Sequence, residues 1–359
     1  MLGEVEAAQL RVSGNQEAEF LAARPKRQDD LPVPGLGDPG DECAPQTFRD
    51  FRHDPFQEKR IHRVGIVLPY PEGNGRPVGN SAPPEMGKER KAMPHTRAPG
   101  FRMQYETQGE GDPLLLINGL GSDLSEWLFQ LPVFGRLFRV VAFDNRGTGG
   151  SETPPGPYST TQMADDASAL LTHLSIDRAH VLGVSLGGMI AQEVALRHPE
   201  KVLRLVLACT APGGEGSVRP DPETLRAFVR SPGDDPKEEI RRVIPFLYSE
   251  EYRCGHPEEI EAFVRRRLEK PVSVEGHAAQ MAAAVGHSAW NRLGTIRAPT
   301  LVIAGDGDRL VPPENSRRIA SCIPGAKLVL LPGAPHRLFA ENAEEFNREV
   351  TSFLLCGRP

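Results

Sequence analysis

From Phe101 onward, short runs of consecutive apolar residues alternate with stretches whose apolar positions recur every three or four residues. The runs are Leu114–Ile117, Arg139–Phe143, Ala179–Leu182, Val202–Ala208, Thr300–Ala304 and Ala326–Leu331. An apolar run with no polar alternation predicts a strand buried on both faces. Phe101–Thr107 is a further predicted strand, and Pro199 marks a helix end before Val202. Met163–Leu174, Gly188–Arg197 and Glu344–Leu355 have helical period. Buried strands alternating with helices predict an α/β fold: a mostly parallel central sheet with helices on both faces.

Between residues 211 and 291 the strand pattern stops. Pro222–Arg230, Asp235–Tyr248, Pro257–Lys270 and Val274–Val285 have helical character, and several open on proline or acidic residues that suit a first helical turn. This insertion follows a strand's carboxyl end, where sheets of this kind bind ligands. It predicts a helical cap over the sheet edge; a separate helical bundle with no site beneath is the bland alternative. Its apolar positions include Phe228, Phe246, Leu247, Tyr248, Phe263 and Met281, which serve equally as helix-packing residues.

Residues 1–94 hold twelve of the chain's 34 prolines, mixed charge and few periodic apolar positions. Such a segment cannot bury enough apolar surface to offset its ordering entropy. Only Arg63–Leu68 looks strand-like. The predicted organisation is a disordered extension over 1–94, an α/β core from 95–210 and 292–359, and a cap over 211–291. Met93, just before the first predicted strand, is expected to be a natural start.

The 359 residues are 39% hydrophobic and 25% charged, with a formal charge of −6, as suits a soluble globular protein. No dominant basic patch marks a nucleic-acid partner, and no apolar run is long enough to span a bilayer. The N-terminus lacks the pattern of a signal peptide. The five cysteines are scattered without metal-type spacing, and the histidines form no ligand pair. A cytoplasmic protein without a metal site is the expectation.

The chemistry concentrates on Gly183-Val-Ser-Leu-Gly187. A G-x-S-x-G motif alone is weak, and an ordinary Gly/Ser turn at a helix start is the competing reading. Here a predicted strand precedes it and a predicted helix follows, the context in which a serine sits exposed on a strained turn. A serine alcohol needs a base, and the base needs an orienting acid. Both candidates lie past strand ends, in the chain order Ser, Asp, His. Asp308 is preferred over Asp306 as the acid, because three residues after Gly305 leave room for the turn to point back over the sheet. His336, in Gly333-Ala-Pro-His336, is the base candidate. Backbone N–H groups of Leu120, in the loop Asn118-Gly-Leu-Gly121, and of Leu186 are the predicted oxyanion donors. Trp127 is a candidate pocket residue, with burial against the sheet equally open.

These runs, with Asp144-Asn-Arg-Gly-Thr-Gly-Gly-Ser151 and Pro299-Thr-Leu-Val-Ile-Ala-Gly-Asp-Gly-Asp-Arg-Leu-Val-Pro312, occur in the order and spacing of the α/β-hydrolase fold family. The chain from about residue 98 to 355 resembles that family, most closely its enol-lactonase and small carboxylesterase branch. The resemblance implies Ser185 as nucleophile, Asp308 as acid and His336 as base. It also implies loop bracing rather than catalysis for Asp144 and Arg146. Asn118-Gly119 departs from the family's usual His-Gly and puts that loop's supporting hydrogen bonds in question. The function implied is a serine hydrolase acting on a small carboxylic ester or lactone, with no cofactor. Acyl transfer, cofactor-free haloperoxidation, carbon–carbon bond hydrolysis and a non-catalytic ligand receptor are the alternatives on the same fold.

Overall fold

A computed structural model describes residues 93–230 and 233–356. The expectations for residues 1–92, including the strand-like Arg63–Leu68, lie outside the described residues. Eight strands form one sheet: β1 (His95–Thr96), β2 (Met103–Gln108), β3 (Pro113–Ile117), β4 (Arg139–Phe143), β5 (Ala179–Val184), β6 (Val202–Ala208), β7 (Thr300–Gly305) and β8 (Lys327–Leu331). Their spatial order is β1-β2-β4-β3-β5-β6-β7-β8. The first two pair antiparallel at one edge, and β3 to β8 run parallel.

Burial on both faces explains the continuous apolar runs except that of β8, an edge strand whose residues 327–330 are exposed or half-buried. Successive side chains of a strand point to opposite sides. Leu115, Val141, Val181, Leu205 and Val302 face one apolar cluster. There they meet Met163 and Leu170 of helix α1 (Thr160–His173) and Ile190 and Val194 of α2 (Leu186–Arg197). Their neighbours Leu114, Val140, Leu182, Val206 and Leu301 enter the opposite cluster. Each such side chain, fully buried, contributes roughly 1.5–3 kcal/mol.

Five helices lie between β6 and β7: α3 (Pro222–Ala227), α4 (Pro236–Leu247), α5 (Glu250–Gly255), α6 (Pro257–Glu269) and α7 (Val274–Val285). Asp221, Asp235, Ser249 and Ser273 cap four of them through side-chain oxygens that accept from first-turn N–H groups. The short α5 was not anticipated, because six residues with little apolar period leave only the Ser249 cap as a signal. The insertion leaves and re-enters the core side by side. Ala289 N–H donates to the Pro212 carbonyl at 2.9 Å, and Gly213 bridges Ser288. After β7 come α8 (Glu314–Cys322), β8 and a closing helix α9 (Ala343–Leu355). Phe346, Val350 and Leu354 of α9 complete the second apolar cluster. Among the described residues, no helix is long and apolar enough to cross a membrane.

This topology positions the site. Parallel strands present all their carboxyl ends at one edge, so the loops after β3, β5, β7 and β8 converge there. They are the loops that carry Leu120, Ser185, Asp308 and His336.

Candidate active site

Ser185 connects β5 directly to α2, with φ 54° and ψ −122°. That left-handed backbone is costly for a residue with a side chain and persists only where the surroundings enforce it. Here its N–H donates to the Ala208 carbonyl at 2.9 Å. Its own carbonyl accepts from the Gly188 N–H at 2.9 Å and from the Thr210 hydroxyl at 2.7 Å. The flanking glycines follow from close backbone approach. A Cβ on Gly183 would stand 2.1 Å from the Gly187 oxygen, and one on Gly187 would stand 2.1 Å from the Ile117 oxygen.

His336 and Asp308 are both buried and in contact. The His336 Nδ1 and Asp308 Oδ2 are 2.8 Å apart. The other carboxylate oxygen accepts from the N–H groups of Leu310 and Val311 at 2.9 and 2.8 Å. Asp308 is thereby fixed in orientation, with both oxygens engaged. Asp306 lies on the same turn but is exposed, and its carboxylate accepts from the Gly333 N–H. With Nδ1 turned to the acid, the Nε2 edge of His336 is left for chemistry in the cavity its side chain lines.

The Asn118–Gly121 loop lies against the serine. A Cβ built on Gly119 would be 3.3 Å from the Ser185 Cβ. Asn118 supports the loop with part of its side chain only, since its Oδ1 is buried without a hydrogen-bond partner among the described residues. Its Nδ2 donates to the Phe143 carbonyl at 3.4 Å, and its carbonyl accepts from Asn145 Nδ2 at 3.0 Å. Leu186 begins α2, where the first N–H groups have no intrahelical acceptor. Asp144 accepts from the Leu124 and Gly150 N–H groups at 2.8 and 2.7 Å, joining the end of this loop to the next turn. Burial pushes its carboxyl up to about 6. Arg146 pairs with the buried Asp166 through two bonds of 2.6 and 2.7 Å.

A cavity of about 280 Å³ opens over this edge. Ser185, Leu120, Leu186 and His336 form its sheet-side wall. Phe228, Leu247, Phe263 and Met281 of the helical insertion face them. Tyr248 packs instead within the insertion, 5.7 Å from the Phe263 ring centroid, and Phe246 meets Phe228 edge to face with centroids 6.5 Å apart. Trp127 does not line the cavity. It is fully buried in the core cluster, 6.1 Å from the Phe339 ring, and its neighbour Glu126 reaches the cavity wall. Cys209 is a poor rival nucleophile, because burial raises its thiol pKa well above the ordinary value and the Asp308 charge adds to the shift.

Several cavity residues had no sequence signal. Arg337 forms a buried ion pair with Glu126 and lies over the Phe263 ring at 4.5 Å. Arg230 pairs with Glu239 at 2.7 Å. Arg267 belongs to a run of three arginines, which by itself reads as a solvated helix face. In the fold it turns to the cavity and donates to the Gly121 carbonyl.

Residues 112–343 match the family model for the alpha/beta hydrolase fold, and the chain belongs to that family. It is an enzyme of the hydrolase class. RutD of Azorhizobium caulinodans, named as a carbamate hydrolase, is 28% identical over 265 residues, covering 74% of this chain and 98% of its own. A poly(3-hydroxyalkanoate) depolymerase of Ectopseudomonas oleovorans is 32% identical over 242 residues, covering 67% and 84%. The crystal structure of the enol-lactonase from Burkholderia xenovorans superposes with a TM-score of 0.66 at 31% identity, covering 73% of this chain and 99% of that one.

Proposed function

We propose that the protein hydrolyses small carboxylic esters or lactones through a Ser185–His336–Asp308 triad and an acyl-enzyme. His336 Nε2 takes the Ser185 proton as the oxygen attacks the carbonyl. The N–H groups of Leu120 and Leu186 hold the oxyanion, each worth roughly 3 kcal/mol of barrier. His336 then protonates the leaving alcohol, and water activated by the same imidazole releases the acid. Asp308 keeps the Nδ1–H tautomer and stabilises the imidazolium that forms. The bond rearrangements need no cofactor.

One observation carries this reading. A serine held in a strained left-handed turn shares a cavity with a histidine whose Nδ1 is 2.8 Å from a buried carboxylate. The relatives supply the substrate range, since esters, lactones and carbamates all present an acyl carbon of the same geometry to attack. The test is a panel of p-nitrophenyl esters of graded acyl length with lactones and carbamates alongside, together with labelling by a fluorophosphonate. Turnover of part of the panel and an adduct on the Ser185 peptide are expected. An adduct confined to another residue, with no turnover across the panel, would remove the proposal.

A further inference from the structure

The loop that carries Leu120 is held from the helical insertion, not only from the sheet. Two peptide planes set the direction of the Leu120 N–H. The N–H itself lies in the plane of the Gly119 carbonyl, which accepts from the Ser122 N–H at 3.3 Å. The plane after it ends in the Gly121 N–H, which donates to Gln280 Oε1 at 2.8 Å. Gln280 lies on α7 and is fully buried. Its amide is oriented without ambiguity, because Nε2 donates to the Arg146 carbonyl at 2.7 Å. Arg146 is itself locked by the two-bond pair with Asp166 and by the Phe101 and Tyr158 rings. On its other side, the Gly121 carbonyl accepts from Arg267 of α6. Gly121 has φ +61°, a backbone state open to glycine without steric cost, so these bonds rather than sterics hold the turn.

We propose that Gln280, assisted by Arg267, is a positioning residue that fixes the Leu120 N–H for the developing oxyanion. The insertion then takes part in the chemical step as well as in enclosing the substrate. This rests on the reading of Leu120 as an oxyanion donor. An aligned donor is worth its full effect only when its direction is set before the reaction.

The experiment compares an oxygen ester with its thiono analogue, in which sulfur replaces the carbonyl oxygen and accepts hydrogen bonds poorly. For p-nitrophenyl butyrate and its thiono counterpart, the ratio of kcat/KM values reports the oxyanion site alone. Gln280→Leu is expected to lower oxygen-ester kcat by about tenfold or more with little change in KM, and to lower the ratio by a similar factor. Gln280→Glu retains an acceptor for the Gly121 N–H and, held neutral by burial, an O–H donor for the Arg146 carbonyl, and is expected to restore most of the ratio. A folded Gln280→Leu that keeps the wild-type ratio, or that loses both substrates equally, overturns the inference. Should that variant fail to fold, Arg267→Met carries the same ratio test at the Gly121 carbonyl. The two proposals fail differently. Full turnover in Ser185→Ala refutes the triad reading, whereas Ser185-dependent turnover with a ratio insensitive to both variants refutes only the positioning role.

Discussion

On the sheet side of the cavity, Ser185 and Asp308 follow the fully buried strands β5 and β7, and His336 follows the half-buried edge strand β8. Backbone and carboxylate groups around them are tied to specific partners, and glycines stand where a Cβ would collide with backbone. On the opposite side, helices α3 to α7 present Phe228, Leu247, Phe263 and Met281, side chains that make apolar contact without directional bonds. The first wall is over-determined and tolerates little. The second is a packed surface whose shape can drift by a methylene at modest cost. Under the proposed function, chemistry falls to one wall and substrate choice to the other, with Gln280 and Arg267 as the points where the second wall grips the first.

Substitutions on either wall test that contrast. The largest effect is expected on the sheet side: Ser185→Ala should lower kcat by roughly four to six orders of magnitude, with the thermal midpoint little changed. Steady-state turnover with calorimetry on the same sample checks both halves. Next, Asp308→Asn should lower kcat by about 10⁴, because the amide stabilises the wrong imidazole tautomer. Asp306→Asn, on the exposed neighbour, should cost less than about tenfold. Reversal of that order exchanges the two assignments. On the helical side, Phe228→Ala should move the preferred acyl length upward and change kcat/KM between adjacent chain lengths by about 10-fold, while kcat on the best substrate stays within a few-fold. An unchanged chain-length profile would remove Phe228 from the substrate surface.

The smallest effect tests the seam between the walls. His287 follows α7 and is buried against Thr160 of α1, at 3.0 Å, and Gln192 of α2, at 3.3 Å. Burial, reinforced by the Arg292 charge, pushes its pKa from 6.5 down to about 3. The folded chain therefore refuses a proton that the unfolded chain accepts below about pH 6.5. Stability is fully present above that pH and falls on acidification, by about 1.4 kcal/mol per pH unit within the window from this group. Urea midpoints between pH 7 and 5 should fall less steeply in His287→Gln than in the wild type. Equal slopes would show that this histidine does not titrate with unfolding.

Much of the sheet side was readable in advance for a local reason. A buried parallel strand needs a continuous apolar run, and a strained elbow needs glycine on both sides. Each demand therefore leaves a mark within a few residues. The elbow helix begins at Leu186 rather than at the expected Gly188, since the serine itself occupies the cap position. The insertion was legible as helix but not as surface. Phe228 and Phe246 have the same character in sequence, yet only Phe228 lines the cavity. Trp127 shows the same ambiguity: an aromatic beside a loop can fill a core or a pocket, and packing against Phe339 decides for the core.

The order of residue types along this chain determined its α/β class, the family it belongs to and the three loops where reactive groups stand, because those depend on periodicity and on backbone sterics that act over short distances. The folded arrangement alone shows which helical side chains face the cavity, and that Gln280 and Arg267 hold a loop about 150 residues away. Those are pairings between distant segments, set by the order of strands in the sheet and by which helix face finds apolar cover. No local pattern records them.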